Sequence, residues 1–446
     1  MDTDDLLKRL ERDGVENLWV IYHDYSGRSA AKTVPIEGFA SAVERGVVFA
    51  VANLSFRLGD HQSEGATFLA DSGDFFALPV PETYSLIPYH TATARVYTTM
   101  RKDDGAVWDG CPRTRLLKLL NDYAAAGLSI KVGLEPEFML FEQIGENEYR
   151  PADKDGMFVL AGLDRHYPLW DKLIRNLRDM GVTIEQLGKE YGPGQYEGTT
   201  LYDSPLKAID DYLTFKEVLR ACARDAGYIA SFMPKPYEHL PGNGLHLHIS
   251  LWNEDGTQDL TPGARDDIPL STTGEHFVAG LLTHARALTG VGCPIANSYK
   301  RLQPGSWAPA HICWGVGNRA ALVRVPGMGT RRHIEFRSGD NAANPFIHLT
   351  AVLAAGLDGI INQTQIPPPA NDDVGHLSNE EAKARGFDLL PRSLSDAMTA
   401  LEDDAVVCEG LGSIISTEFL KIKRSEYDAY KLHVHPWERQ IYLEAL

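Results

Sequence analysis

Gly133-Leu-Glu-Pro-Glu-Phe-Met-Leu140, entered through Leu128-Ser-Ile-Lys-Val132, is the stretch on which the reading of the fold turns. Its apolar frame predicts a strand. Successive side chains of a strand point to opposite faces, so Glu135 and Glu137 share one face and Leu134 and Phe138 take the other. Two carboxylates on one face of a core strand are costly unless a positive group lies between them. An arginine or a divalent cation would serve, and this stretch alone leaves both open.

Three other stretches repeat the design. In Gly244-Leu-His-Leu-His-Ile-Ser-Leu251, His246, His248 and Ser250 share a face opposite Leu245, Leu247, Ile249 and Leu251. In Arg331-Arg-His-Ile-Glu-Phe-Arg337, His333, Glu335 and Arg337 lie opposite Ile334 and Phe336. In Lys189-Glu-Tyr-Gly-Pro-Gly-Gln-Tyr-Glu197, Glu190 and Glu197 flank a Gly/Pro turn. One alternating His-x-His carries little, but several strands turning acid, His and Arg to one side point to a site.

The chain has 446 residues, 43% hydrophobic and 23% charged, enough for two domains of an ordinary globular protein. A formal net charge of −18 argues against a nucleic-acid binder, which would carry a basic stripe. Local arginines can still receive an anionic substrate. The five cysteines are scattered with no zinc spacing, the first residues are acidic, and the apolar run Phe346–Ile361 is too short to span a bilayer. These features predict a cytoplasmic protein with no membrane partner.

Taken in order, residues 5–13 predict a short helix, Leu18–Tyr22 and Ala30–Val34 a hairpin, and residues 35–108 a small sheet-rich first domain. Asp24 sits at the hairpin tip, where an Asp ordinarily serves backbone hydrogen bonds. Pro112 opens a helix with Leu116, Leu117, Leu120 and Tyr123 on its apolar face, so the domain boundary is placed at 108. A longer helix follows Ser204 as N-cap and Pro205, and ends at Gly227. The domains are thus 1–108 and 109–446.

Five carboxylates (Glu135, Glu137, Glu190, Glu197, Glu335) with His246 form an oxygen-rich donor set that suits Mg²⁺ or Mn²⁺ rather than zinc. Their charge exceeds that of one cation, so two or three ions are expected. Carboxylates, hard cations and arginines are the parts of phosphoryl transfer, and no glycine-rich phosphate loop accompanies them.

These residues carry a resemblance. The turn Asp24-Tyr-Ser-Gly-Arg28, Glu135-Pro-Glu137, Glu190 with Gly194-Gln-Tyr-Glu197, and Gly242-Asn-Gly-Leu-His-Leu-His-Ile-Ser250 belong to it. So do Asn297-Ser-Tyr-Lys-Arg301 with Pro304-Gly305, Asn318-Arg319, and Ile334-Glu-Phe-Arg337 followed by Asn341-Ala-Ala-Asn-Pro345. Over nearly its whole length the chain resembles the glutamine synthetase family, most closely the γ-glutamyl alkylamide (glutamate–amine) ligases.

The resemblance implies an α+β fold: a small N-terminal β-grasp domain, then a large α/β catalytic domain with a curved antiparallel sheet. It implies an ATP-dependent ligase that phosphorylates the γ-carboxylate of glutamate and condenses it with an amine or ammonia. One metal would be held by Glu137, Glu190 and Glu197, and a second by Glu135, His246 and Glu335. Gly242, Arg301 and Arg337 would grip glutamate; His248, Ser250, Arg324 and Arg332 would serve ATP; Arg319 would meet the transferred phosphoryl group. Asp24 would deprotonate the amine from a neighbouring subunit of a ring homo-oligomer, commonly two stacked hexamers.

The chain departs from the family in three places. Ammonia-using members have Pro-Gly-x-Glu-Ala-Pro where this chain has Pro304-Gly-Ser-Trp-Ala-Pro309. Trp307 replaces a carboxylate that would attract ammonium, and an indole offers an apolar wall and a cation–π face for an alkylammonium. It could instead pack its loop. The family's Asn-Gly before the histidine strand is read here as Pro241-Gly242, which loses a side-chain contact to glutamate. The Arg331-Arg332-His333 insert leaves open which of the three meets the nucleotide. The alternatives are an ordinary glutamine synthetase and, more remotely, a non-catalytic relative, which would have lost metal ligands that this chain keeps.

Overall fold

The computed structural model describes residues 3–265 and 267–446. The first sheet is built from residues 17–101, in the order Ser29–Pro35, Asn17–His23, Thr93–Arg101, Asp74–Pro79, Val47–Ala50. Its two middle strands, Asn17–His23 and Thr93–Arg101, run parallel, and the others pair antiparallel around them. The helix Phe39–Arg45 lies on it, burying Phe39, Ala42 and Val43, and completes the β-grasp arrangement.

The second sheet is nine-stranded, and its central strand is Leu128–Gly145, the stretch that carries Glu135 and Glu137. On one side stands the hairpin Ile184–Lys189 and Gln195–Thr200; on the other are Leu245–Asn253, Ile334–Phe336, Val323–Val325 and Trp314–Val316. Antiparallel pairing governs this sheet except at the edge, where Trp314–Val316 and Val323–Val325 are parallel. Leu245, Leu247, Ile249 and Leu251 are all buried on the reverse face, which is what the alternating pattern demands.

The helices differ from expectation in detail. In Pro112–Ala125 the buried residues include Leu116, Leu119 and Tyr123, whereas Leu117 is exposed, because Tyr123 must face the helix Pro345–Ile361 and donates to Leu353 O at 2.7 Å. Ser204 occupies the N-cap position of Pro205–Asp225, but its side chain makes no capping bond. The apolar run ending at Ile361 is the helix Pro345–Ile361, its first turn capped by Asn344 Oδ1, which accepts from the N–H groups of Phe346 and Ile347. Among the described residues no helix is long and apolar enough to cross a membrane.

One continuous core joins the sheets, drawing Leu18 and Val96 from the first, Val132 and Leu247 from the second, and Phe346 and Leu353 from the helix between them. The helix Ser413–Leu432 packs on the segment that links two strands of the first sheet, Val47–Ala50 and Asp74–Pro79, where buried Glu418 accepts from Thr67 N–H at 3.0 Å and from the Ser55 hydroxyl. Helices Thr272–Thr283 and Pro345–Ile361 touch backbone to backbone at Gly280 and Gly359: a Cβ on Gly280 would stand 2.1 Å from Ala355 O. Gly280→Ala is therefore expected to destabilise the protein by about 1–3 kcal/mol through overpacking, against a gain in helix propensity of about 1 kcal/mol. Urea unfolding measures this, and a stabilised variant would contradict the contact.

Candidate active site

The register of the second sheet assembles the site. Glu197 lies opposite Glu137, His246 opposite Glu135, His248 opposite Glu335, and Arg324 opposite Glu335 on the next strand. Glu190 directly follows the adjoining hairpin strand Ile184–Lys189, and its Oε2 accepts from Tyr191 N–H at 3.1 Å. All five predicted carboxylates and both histidines thus meet on one face.

The two halves of this face differ in charge balance. On the His/Arg side, His246 Nδ1 lies 2.9 Å from Glu135 Oε1 and 3.5 Å from Glu335 Oε1, and His248 Nε2 lies 2.9 Å from Glu135 Oε2. Arg324 donates to Glu335 Oε2 at 2.8 Å and Arg337 to Oε1. Burial opposes ionisation of Glu335, but Arg337, His246 and His248 outweigh it and bring its pKa down to about 2. Burial likewise opposes ionisation of Glu135, and the hydrogen bonds from His246 and His248 carry it well below the usual range. On the other side burial and the neighbouring carboxylates outweigh the charge of Arg319. Burial, then Glu137, pushes Glu190 up to about 7. Burial, then Glu135 and Glu137, pushes Glu197 up to about 10. Carboxyls raised by one another in a buried face form a site that gains from a cation.

Loops behind the sheet lock the geometry. Gly244 N–H donates to Glu137 Oε2 at 2.6 Å, and a Cβ there would lie 2.5 Å from Arg301 Nη2 and 2.9 Å from His246 Nε2. Only glycine fits. Asn341 Nδ2 donates to both Glu137 O (3.0 Å) and Gly244 O (2.9 Å). Arg301 donates to Ser338 O at 2.8 Å and Arg337 O at 3.2 Å, so it stands beside Arg337. Gly242 joins the same wall through its carbonyl, which accepts from Gln195 Nε2 at 2.9 Å.

Beside Glu135 opens a cavity of about 740 Å³, lined by His248, Ser250 and Arg332 together with Lys131, Trp252, Arg331 and His333. Its volume is of the size that takes a nucleotide-sized ligand. All three residues of the 331–333 insert reach it, whereas Arg324 faces Glu335 instead. Lys131 and Trp252 escaped the sequence reading. Lys131 Nζ lies 3.5 Å over the indole of Trp252, whose Nε1–H donates to Ser250 Oγ at 2.9 Å. Period-two counting back from Glu135 and forward from Ser250 puts both on this face.

Sequence reasoning placed His246 with the metal and His248 with ATP. Both imidazoles lie on Glu135: His246 also comes within 3.5 Å of Glu335, and the donor atoms of Glu135, His248 and Glu335 all lie within 4.8 Å of one another. Asn243 is fully buried, its Oδ1 accepting from Gln195 Nε2 at 3.1 Å and its Nδ2 donating to Met233 O at 2.8 Å. Arg319 is exposed on a turn, close enough to Glu190 for its charge to lower that carboxyl. Trp307 does not pack its loop: it is 73% exposed at φ +61°. Asp24 is buried at the hairpin tip of the first sheet, its carboxylate accepting from Arg28 N–H at 2.9 Å and Arg28 Nε at 2.7 Å. Within one chain it does not join the acidic face.

The donor set fits hard divalent cations, being carboxylate oxygens with imidazole. Glu137, Glu190 and Glu197 would hold one ion, and Glu135 and Glu335 with imidazole another.

Residues 109–442 match the family described as "Glutamine synthetase, catalytic domain". The glutamine synthetase of Halobacterium salinarum is 35% identical over 446 residues, covering 98% of this chain and 96% of that protein. That of Pyrococcus abyssi is 37% identical over 412 residues, covering 92% and 90%. Among solved structures, GmaS in complex with ADP superposes with a TM-score of 0.87 at 31% identity over 99% of both chains. A glutamine synthase homologue gives 0.83 at 28% identity, covering 97% of this chain and 99% of that one.

Glu135→Ala is expected to weaken Mn²⁺ binding, read from the free-ion electron paramagnetic resonance signal, by at least about tenfold, with the thermal midpoint little changed. Unaltered Mn²⁺ affinity would remove Glu135 from the site.

Proposed function

This chain belongs to the glutamine synthetase family and is an ATP-dependent glutamate C–N ligase, and on that premise we propose that its third substrate is a primary organic amine. The observation that carries the amine reading is Trp307. In the loop where ammonia-using members keep a carboxylate, this chain presents an indole 73% open to solvent, an apolar and cation–π surface suited to an alkylammonium. The likeness to GmaS over the full chain supports the same branch. The rival reading, an ordinary glutamine synthetase, is favoured by the names of the curated relatives.

The proposed reaction follows from the poor leaving group of a carboxylate. The γ-carboxylate oxygen of glutamate attacks the terminal phosphorus of ATP and ADP departs, giving γ-glutamyl phosphate. The amine nitrogen then attacks the acyl carbon, phosphate leaves, and the nitrogen's extra proton passes to a base. Both steps gather negative charge. The family uses divalent cations, which when bound at the acidic face would neutralise phosphate charge. Arg301, Arg337 and Gly242 are assigned to glutamate, and Arg319 to the phosphoryl group as it transfers. His248, Ser250, Arg332, Lys131 and Trp252 line the nucleotide side. Asp24 is proposed as the base, serving the site of an adjacent subunit in a ring homo-oligomer.

Phosphate release should be measured with glutamate, ATP and, in turn, ammonia, methylamine, ethylamine, isopropylamine, ethanolamine, putrescine and aniline. An alkylamine is expected to give the highest kcat/KM; ammonia in first place would make the enzyme an ordinary glutamine synthetase. Trp307→Glu is expected to move the preference toward ammonia, and an unchanged profile would remove Trp307 from the argument. Asp24→Asn, which preserves the turn's acceptor, is expected to lower kcat for amide formation about 100-fold while leaving ADP affinity intact. An unchanged kcat would leave Asp24 a turn residue only.

A further inference from the structure

Between Glu190 and Glu197 the chain turns around a buried ammonium. Lys189 ends the strand Ile184–Lys189, pairs with Tyr196 across the hairpin, and has a fully buried side chain. Its Nζ donates to Glu190 O at 2.9 Å, to Gln195 O at 3.2 Å and to Gly192 O, so the three hydrogens of the ammonium meet three carbonyls of the turn. Asp153 Oδ1 lies 3.8 Å from the same nitrogen. That carboxylate is tied to the far end of the turn: Oδ1 accepts from Gly194 N–H at 3.0 Å and Oδ2 from the Tyr196 hydroxyl at 2.8 Å. Burial opposes ionisation of Asp153, but His166, Gly194, Tyr196 and Lys189 outweigh it and bring its pKa down to about 2. Carbonyls converging in the interior are costly without a donor among them, so the conformation of this turn depends on the Lys189 ammonium.

We propose that Lys189 is a positioning residue: with Asp153 it folds the turn so that Glu190 and Glu197 face one divalent cation together with Glu137. The two carboxylates flank the staple directly. Glu190 follows Lys189 in the chain, and Glu197 follows Tyr196, the residue paired with Lys189 and bonded to Asp153. Lys189 and Asp153 act through the backbone, by setting where the two ends of the turn leave it. Groups that orient metal ligands in this way are worth about 10–100-fold in metal affinity.

The inference rests on the metal reading of the site, which Mn²⁺ binding by the wild-type protein tests separately. Mn²⁺ titrations of the full-length protein without nucleotide, read from the free-ion electron paramagnetic resonance signal, should compare wild type, Glu197→Gln, Lys189→Met and the double variant Lys189→Met/Asp153→Asn. Glu197→Gln identifies the class of Mn²⁺ held by the acid-rich half. Lys189→Met is expected to weaken that class by about tenfold or more and to leave the other class unchanged. The single variant leaves Asp153 a buried charge without its cation, a fault that the double variant avoids by removing both charges. The double variant should therefore keep a thermal midpoint near wild type and still show the weakened class. Wild-type affinity of that class in either variant, equal losses in the two classes, or a double variant that does not fold would each overturn the proposal. A wild type with no Mn²⁺ class sensitive to Glu197→Gln would remove the metal reading and this inference with it.

Discussion

Carboxylates crowded on one buried sheet face are the constraint that the rest of the structure answers. Glu137 and Glu197 lie directly opposite one another on neighbouring strands, an arrangement that repels when both are ionised. The face resolves this in two ways. Around Glu335 and Glu135 the protein supplies its own cations and donors, and those carboxyls are held ionised. Around Glu190 and Glu197 it supplies none of comparable reach, and those carboxyls are driven toward the neutral form. The acid-rich half is thus the part of the sheet whose electrostatics call for a bound cation.

Holding such a face together requires stability from elsewhere. On the reverse side Leu134, Leu245, Leu247 and Ile249 join the main core, and Phe138 and Tyr196 pack into a second cluster with Trp170 and Phe215. Behind Glu137, Asn341 ties the central strand to Gly244, and is itself held by Tyr212 O–H at 2.9 Å and Lys216 Nζ at 3.1 Å from the helix Pro205–Asp225. The position of a carboxylate thereby depends on a helix well removed in sequence. Gly244, squeezed between Arg301 and His246, couples Arg301 to the histidine strand in the same way.

Much of this was legible residue by residue. Period-two alternation placed Glu135, Glu137, His246, His248 and Glu335 on one face, because strand geometry allows nothing else. It was not pursued far enough to reach Lys131 and Trp252, which the same count includes. The exchange of Leu117 for Leu119 follows from where Tyr123 must reach, a contact with Leu353 that no local pattern carries. The exposure of Trp307 and the burial of Asp24 were likewise beyond reach, since each depends on what surrounds the side chain rather than on its neighbours in sequence.

By itself, then, the sequence determined which side chains share a face, where glycine and proline break the elements, and which family the motifs resemble. These are properties of local geometry and residue chemistry. Only the tertiary structure decided which carboxylate opposes which, that both His246 and His248 lie on Glu135, and that His333 faces His248 across a strand pair. Those outcomes depend on the register between strands more than 50 residues apart in the chain. Register is settled by the packing of the whole apolar face, not by any stretch read alone.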